Sequence, residues 1–321
     1  NRTSIDKWDA YGIILTDESN TNINMSMMPK GAINEVEADE AAVIGIAPNV
    51  IRKKGTSGDV AKINTTFFGI ESDQFLMPEV IEGKAFENDD EVVADISLKE
   101  EEGIVIGDTL QLAGSDKEVE VVGFTEDAKF SVAPVLYTTV SSYQDVRFEQ
   151  IDESEEGRVS AIVVRGNDGT VEGVDTGNED LIVYPIADYI NEIPGYTAQV
   201  LTFGLMIGFL VVIAAVVIGI FIYVLTMQKS SMFGVMKAQG ISSGYIAKSV
   251  VVQTFLLAAI GVGIGLVLTG ATALVLPPAV PFRTNLYFLS GIASLLVIMA
   301  MIGGVFSVRA VVKIDPLKAI G

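Results

Sequence analysis

The 321-residue chain contains no histidine and no cysteine. Without histidine there is no Ser–His–Asp relay and no HExxH zinc site. Without cysteine there is no thiol nucleophile, no thiolate metal site and no disulfide. The pattern GxxxxGK[ST] is absent too, so the chain has no P-loop with which to hydrolyse nucleotide. Acids all but vanish in the second part. Residues 1–200 hold 40 of the 41 acids and 14 of the 21 basic residues, a formal charge of −26. Residues 201–321 hold one acid and seven basic residues, a formal +6. The two parts are built for different solvents.

What fills the second part is apolar. Leu201–Met227, Val250–Val280 and Leu286–Val308 carry no charge at all. A helix of about 20 apolar residues crosses a bilayer core of about 30 Å. The sequence therefore predicts an α-helical membrane domain over 197–321, with spans at about 201–227, 250–276 and 286–308. The connection after the first span carries Lys229, Lys237 and Lys248 and no acid, and the tail carries Arg309, Lys313 and Lys318 against Asp315. The turn between the second and third spans has only Arg283. Lysine and arginine concentrate on the cytosolic side. That places the connection and the tail inside, and residues 1–196 outside as an extracytoplasmic domain. An outer domain at the amino end needs a signal sequence or a further span ahead of residue 1, and a span is the expectation.

The outer domain reads as α/β. The runs "KEVEVVGFTEDA" and "RVSAIVVRGND" are rich in β-branched residues and bounded by Gly, Asn and Asp, as strands are. "VSSYQDVRFE" and "ADYINEIPGYTAQV" have helical spacing. "EVEADEAAVIGIAPNVIRKKG" suggests a helix or turn and then a strand. Pro194-Gly195 marks the entry to a helix that continues as the first span. The acidic runs Glu87–Glu91 and Lys99–Gly103 lack EF-hand spacing and read as solvated faces.

Between the first two spans, "SSMFGVMKAQG" fits two to three helical turns with Met232, Val235 and Met236 on one side. Gly240 suits a left-handed helix stop, and Ser242 or Ser243 suits the cap of the next helix. "GLMIG" (Gly204, Gly208) and "GVGIG" (Gly261, Gly265) are GxxxG patterns, which allow close helix approach in membranes.

These stretches resemble the MacB/FtsX-type ABC transporter permeases. The family's cytosolic motif is matched by Phe233-Gly234-Val235-Met236-Lys237-Ala238-Gln239-Gly240-Ile241-Ser242, and its closing motif by Asp315-Pro316-Leu317-Lys318-Ala319-Ile320. Outer-domain landmarks resemble it at Glu82-Gly83-Lys84-Ala85-Phe86 and Gly107-Asp108-Thr109-Leu110. The resemblance implies four spans in the full protein and a coupling helix at about 229–248, with Phe233, Gly234, Met236, Lys237, Gly240 and Ser242 toward a partner ATPase. Many relatives carry Arg-Glu where this chain has Ser231-Met232. The resemblance further implies a non-catalytic permease, present as a homodimer in a 2+2 complex. ATP is bound by the partner chains, lipid surrounds the spans, and nucleic acid has no part.

Within the family the chain looks most like the haem-efflux permeases (HrtB type), which implies haem as substrate rather than resident cofactor. Without His or Cys, iron is left Tyr, Met or a carboxylate. The candidates are Tyr11, beside Trp8 at the expected membrane boundary, and then Met25, Met27 and Met28. The alternative is an FtsX-like regulatory protein that passes force to an outer partner and transports nothing.

Overall fold

The computed structural model describes residues 3–55, 62–166, 169–276 and 285–312, with side chains through 306 in the last segment. The motif at Asp315–Ile320 and Arg283 therefore lie outside the described residues. The chain divides into two compact units, Asn1–Gln199 and Val200–Gly321.

The first unit opens with α1 (Thr3–Asp6), β1 (Gly12–Thr16) and β2 (Met28–Pro29). The long hairpin β3 (Glu40–Lys53) and β4 (Ile63–Ile70) follows, then β5 (Glu82–Gly83), β6 (Glu91–Asp95) and α2 (Ser97–Glu102). Next come β7 (Thr109–Leu112), β8 (Glu118–Thr125), β9 (Lys129–Phe130), β10 (Ala133–Thr139) and α3 (Val140–Phe148). The unit closes with β11 (Arg158–Val159), β12 (Ala161–Arg165), β13 (Leu181–Pro185) and α4 (Ile186–Glu192). The main sheet runs β13-β1-β12-β3-β4-β10-β6-β8-β5, with β10 parallel to β4 and β8 parallel to β6. In "EVEADEAAVIGIAPNVIRKKG" the expected strand forms at Glu40–Lys53, after a 3₁₀ turn that ends at Glu35, and Ala42–Ala47 is buried without interruption and pairs on both sides.

Tyr143 shows how the layers fit. It stands on α3 over the sheet, buried, with its hydroxyl 3.1 Å from Ser160 Oγ. Beneath it, Gly45 and Gly69 are cross-strand partners. A Cβ on Gly45 would lie 2.2 Å from the Tyr143 ring, and one on Gly69 2.3 Å from its Cβ. Two glycines side by side make the slot that the ring fills.

The outer landmarks also have physical reasons. Gly83 has φ +82° and its missing Cβ would lie 2.2 Å from the Val122 carbonyl oxygen, while Phe86 three residues on is buried in the core. Gly107 has φ +88°. Asp108 beside it accepts from Val105 N at 2.9 Å and pairs with Lys53 at 2.5 Å, and Leu110 is buried. Trp8, expected at a membrane boundary, instead lies in the core at 1% exposure, 6.2 Å from Phe68. The acidic runs are engaged at the surface: Lys84 pairs with Glu91 and Lys129 with Glu101.

The second unit is helical: α5 (Tyr196–Gln228), which begins in the first unit, α6 (Ser230–Ala238), α7 (Ser243–Val275) and α8 (Leu286–Val312). Three of these are long and apolar enough to cross a membrane: Tyr196–Gln228, Ser243–Val275 and Leu286–Phe306. α5 starts directly after Pro194-Gly195. The helices run past the apolar limits, so α7 begins at Ser243 rather than near 250. The stretch expected as one coupling helix over 229–248 is α6 followed by the first turns of α7.

Candidate functional site

The joint between α6 and α7 is built residue by residue from its caps. Gly240, at φ +90°, ends α6; its N–H donates to Lys237 O at 3.0 Å, and Ile241 N–H donates to Met236 O at 3.1 Å. This pair of bonds is a Schellman stop, which needs a residue without Cβ strain at the left-handed position. Ser242 then caps α7, its Oγ accepting from Tyr245 N at 3.3 Å. Ile241 serves both helices. It follows the Gly240 stop and precedes the Ser242 cap, the position of a hydrophobic staple, and with Met236 it packs against the buried cluster that joins the two helices. Phe233, Ile246 and Val250 complete a small buried cluster. At the other end, Lys229 breaks the helix between α5 and α6, and its Nζ lies 3.4 Å from Gln253 Oε1 on α7.

This joint divides the stripe expected from sequence. Phe233 is buried and Met236 half-buried against α7, and Gly234 is buried as well. Met232 and Val235 are exposed, at 50% and 44%, and Tyr245 at 65%. Lys237 is half-buried, while Gly240 and Ser242 make the joint itself. α6 is thus apolar on two sides. The i, i+3 spacing of Met232 and Val235 was visible in the sequence; Tyr245 was missed because it belongs to the next helix.

Within the helical unit, α5, α7 and α8 line a half-open cavity of about 620 Å³, bordered among others by Val217, Phe221, Leu257, Gly261, Gly265 and Leu296. Its polar groups are Thr254 and Thr269, whose hydroxyls donate to Val250 O and Gly265 O of their own helix at 2.9 Å each. The lining is otherwise apolar and suits an apolar body or a helix side. Gly204, Gly208, Gly261 and Gly265 face open space, with nothing within 4 Å of an added Cβ. Within the chain, close approach occurs elsewhere. A Cβ on Gly303 would lie 3.1 Å from Gly219 Cα, and one on Gly304 would lie 3.0 Å from Thr254. The signal for these was "MIGGVF", which lacks GxxxG spacing.

The candidate iron ligands do not form one group. Tyr11, 39% exposed, stands just before β1, held by Tyr11 N to Val164 O at 3.1 Å and Ile186 N to Tyr11 O at 2.9 Å. The methionines follow the opposite end of β1, where Thr16 N donates to Ser26 Oγ at 3.1 Å. Five strand residues separate the two places by about 16 Å. Met28 is buried at 2% exposure and pairs with Val159, so it leaves the candidate set. Met25 is open to solvent, and Met27 accepts from Arg158 Nη1 at 3.7 Å. Met27 lines a cavity of about 360 Å³ with Glu35, Glu155, Glu156 and Asp180, an environment that repels an anionic ligand.

Three apolar helices joined to an α/β unit, with a basic connection between the first two, define a multi-pass membrane protein with an extracytoplasmic domain. Residues 204–316 match the FtsX-like permease C-terminal family. A Staphylococcus epidermidis protein named as the hemin transport system permease HrtB is 27% identical over 227 residues, 68% of this chain and 60% of that protein. The chain thus spans about three-fifths of that relative. A Staphylococcus haemolyticus protein of the same name is 22% identical across 100% of this chain and 87% of its own length. An uncharacterized ABC transporter permease of Mycobacterium tuberculosis is 24% identical over 88% of this chain and 76% of its own. Among solved structures, the periplasmic region of MacB from Actinobacillus actinomycetemcomitans aligns with TM-score 0.38 and 12% identity over 59% of this chain and 95% of that one. Over residues 204–316 the chain is thus similar to FtsX-like permeases.

Proposed function

We propose that the chain is the membrane subunit of an ABC exporter that moves haem, or another hydrophobic substrate, outward. ATP hydrolysis belongs to a partner ATPase that docks on residues 229–248, and two copies of each subunit form the working complex. ATP-driven closure of the ATPases pushes on α6. The Phe233–Ile246–Val250 cluster, with Met236 and Ile241 packed against it, passes that push to α7. The observation that carries this reading is that joint, a capped and packed corner on a connection with three lysines and no acid. Lysine placement supports a cytosolic position for it and an outer position for the α/β unit.

The hydrophobic substrate class is supported by the apolar cavity and by the names of the staphylococcal relatives. Tyr11 is the first residue proposed to meet haem iron, since tyrosinate ligates haem and Tyr11 is not part of the acid-lined cavity that Met27 borders. Gly204, Gly208, Gly261 and Gly265 are proposed to pack against a helix from outside the described residues, because nothing within the described chain fills the space beside them. The test is ATPase activity of the reconstituted complex with haem, with a lipoprotein or peptide, and with neither. Stimulation by haem supports export of haem. Stimulation by none, with ATP-dependent activation of an outer partner, supports force transmission without transport.

A further inference from the structure

We propose that the ATPase grips the face of α6 that turns away from α7, through Met232 and Val235 with Tyr245 of α7, and that it presents there an apolar recess edged by carboxylates. This rests on the reading that an ATPase docks on this connection; it names the face and the chemistry of the surface that receives it.

The nine residues of α6 make a helix that is marginal in water by itself. Phe233 and Met236 fasten it to α7, and that fastening needs only one side of the helix. Val235 stands on the other side and Met232 on the flank, about 40° from Met236 at 100° per residue, and both are exposed. On a helical wheel Val235 lies about 160° from Phe233, at 100° per residue. A helix lying on a bilayer surface buries one apolar face and turns its charged face to water. Here the inner side is already covered by the cluster with α7, and the outer side is apolar as well. A second apolar side, bracketed by lysines, fits a protein groove. Tyr245, the most exposed of the three side chains, supplies the kind of amphipathic ring that anchors interfaces. Lys248, one turn on from Tyr245 and exposed, sets the sign of the rim. The connection from Lys229 to Ser249 has no acid, so a complementary surface carries Asp or Glu at its edge.

The complex of the full permease with its ABC ATPase tests this through Val235→Glu, Val235→Lys and Tyr245→Ala. The readout is the affinity of the ATPase for the detergent-solubilised permease at low and high salt. Trp8 fluorescence and elution volume report folding. The expected result is at least a tenfold loss for Val235→Glu, a smaller loss for Val235→Lys, and a wild-type affinity that falls as salt rises. The order of the two charge variants is what a merely structural role of Val235 would not produce. Wild-type affinity in Val235→Glu and Tyr245→Ala overturns the face; equal losses for the Glu and Lys variants overturn the acidic rim. Retained ATPase affinity with lost binding to anionic vesicles overturns the proposal in favour of a lipid-facing helix. If the wild-type permease binds no ATPase at all, the broader function falls first.

Discussion

Replacing Gly45 by alanine places a methyl 2.2 Å from Cδ1 and 2.3 Å from Cε1 of Tyr143, inside the ring's contact distance. Real Cβ atoms do not tolerate that approach, so Tyr143 must move. It cannot move toward β4, because Gly69 brings the neighbouring backbone equally close. Overpacking a filled core costs about 1–3 kcal/mol. Lifting the ring also breaks the buried Tyr143–Ser160 hydrogen bond, and a stranded buried hydroxyl costs about 1–3 kcal/mol. Together the change is about 2–6 kcal/mol. For a unit of this size each kcal/mol shifts the midpoint by about 2–4 °C, giving a drop of roughly 4–24 °C. Trp8 is the single tryptophan and lies in the outer unit, so its fluorescence follows that unit within the full chain in detergent. Tyr143→Phe keeps the ring and loses only the hydroxyl, and should drop the midpoint by a few degrees. In a double-mutant cycle, Gly45→Ala should cost much less in a Tyr143→Ala background. A Gly45→Ala midpoint within about 2 °C of wild type would refute the slot.

Glu91 is held down to about 2 by the hydrogen bond from Lys84 and by backbone N–H groups of Glu87 and Asn88. A carboxylate depressed in the folded state stabilises above its unfolded pKa and loses that contribution as pH falls toward 2; acid titration of Trp8 fluorescence should show Glu91→Gln less stable than wild type at pH 5, with the two converging near pH 2. Gly304→Leu should disrupt α7–α8 packing within one chain and lower the yield of folded protein. At Gly208 and Gly265 an added Cβ meets nothing within 4 Å among the described residues, so Gly208→Leu and Gly265→Leu should impair assembly or transport instead, read by cross-linking and export; unchanged behaviour in both would remove those glycines from any interface. Tyr11→Ala should weaken haem binding in an absorbance titration of the complex while ATPase binding persists, and equal binding by both forms would discharge Tyr11 as a ligand.

The spans were legible because length and absence of charge suffice to identify them. Strands such as Glu118–Thr125 were legible from β-branched residues between turn formers. The stop at Gly240 and the cap at Ser242 were legible because each position has a local chemical requirement. Less local features were hidden. Trp8 near an expected membrane boundary read as an interface aromatic, but its burial depends on Phe68, sixty residues away. Met232, Val235 and Met236 formed one stripe on a helical wheel, and only the packing of α7 decided which part of it faces inward. Tyr11 and the methionines looked close along the chain, but β1 runs between them. Gly303 and Gly304 were passed over because close approach here uses adjacent glycines against Gly219 and Thr254 rather than a GxxxG repeat.

The central claim is that force enters at α6 and leaves through α7 to move a substrate outward. Gly240 is the joint where this is most exposed to test, since proline fixes φ near −65° and cannot adopt +90°. The measurement is ATP-driven haem export from proteoliposomes, with ATPase rate recorded alongside, for wild type and Gly240→Pro at matched reconstitution. The account predicts haem-stimulated hydrolysis and export in wild type. In Gly240→Pro it predicts hydrolysis at the basal rate with neither stimulation nor export. Export by Gly240→Pro at the wild-type rate would contradict it.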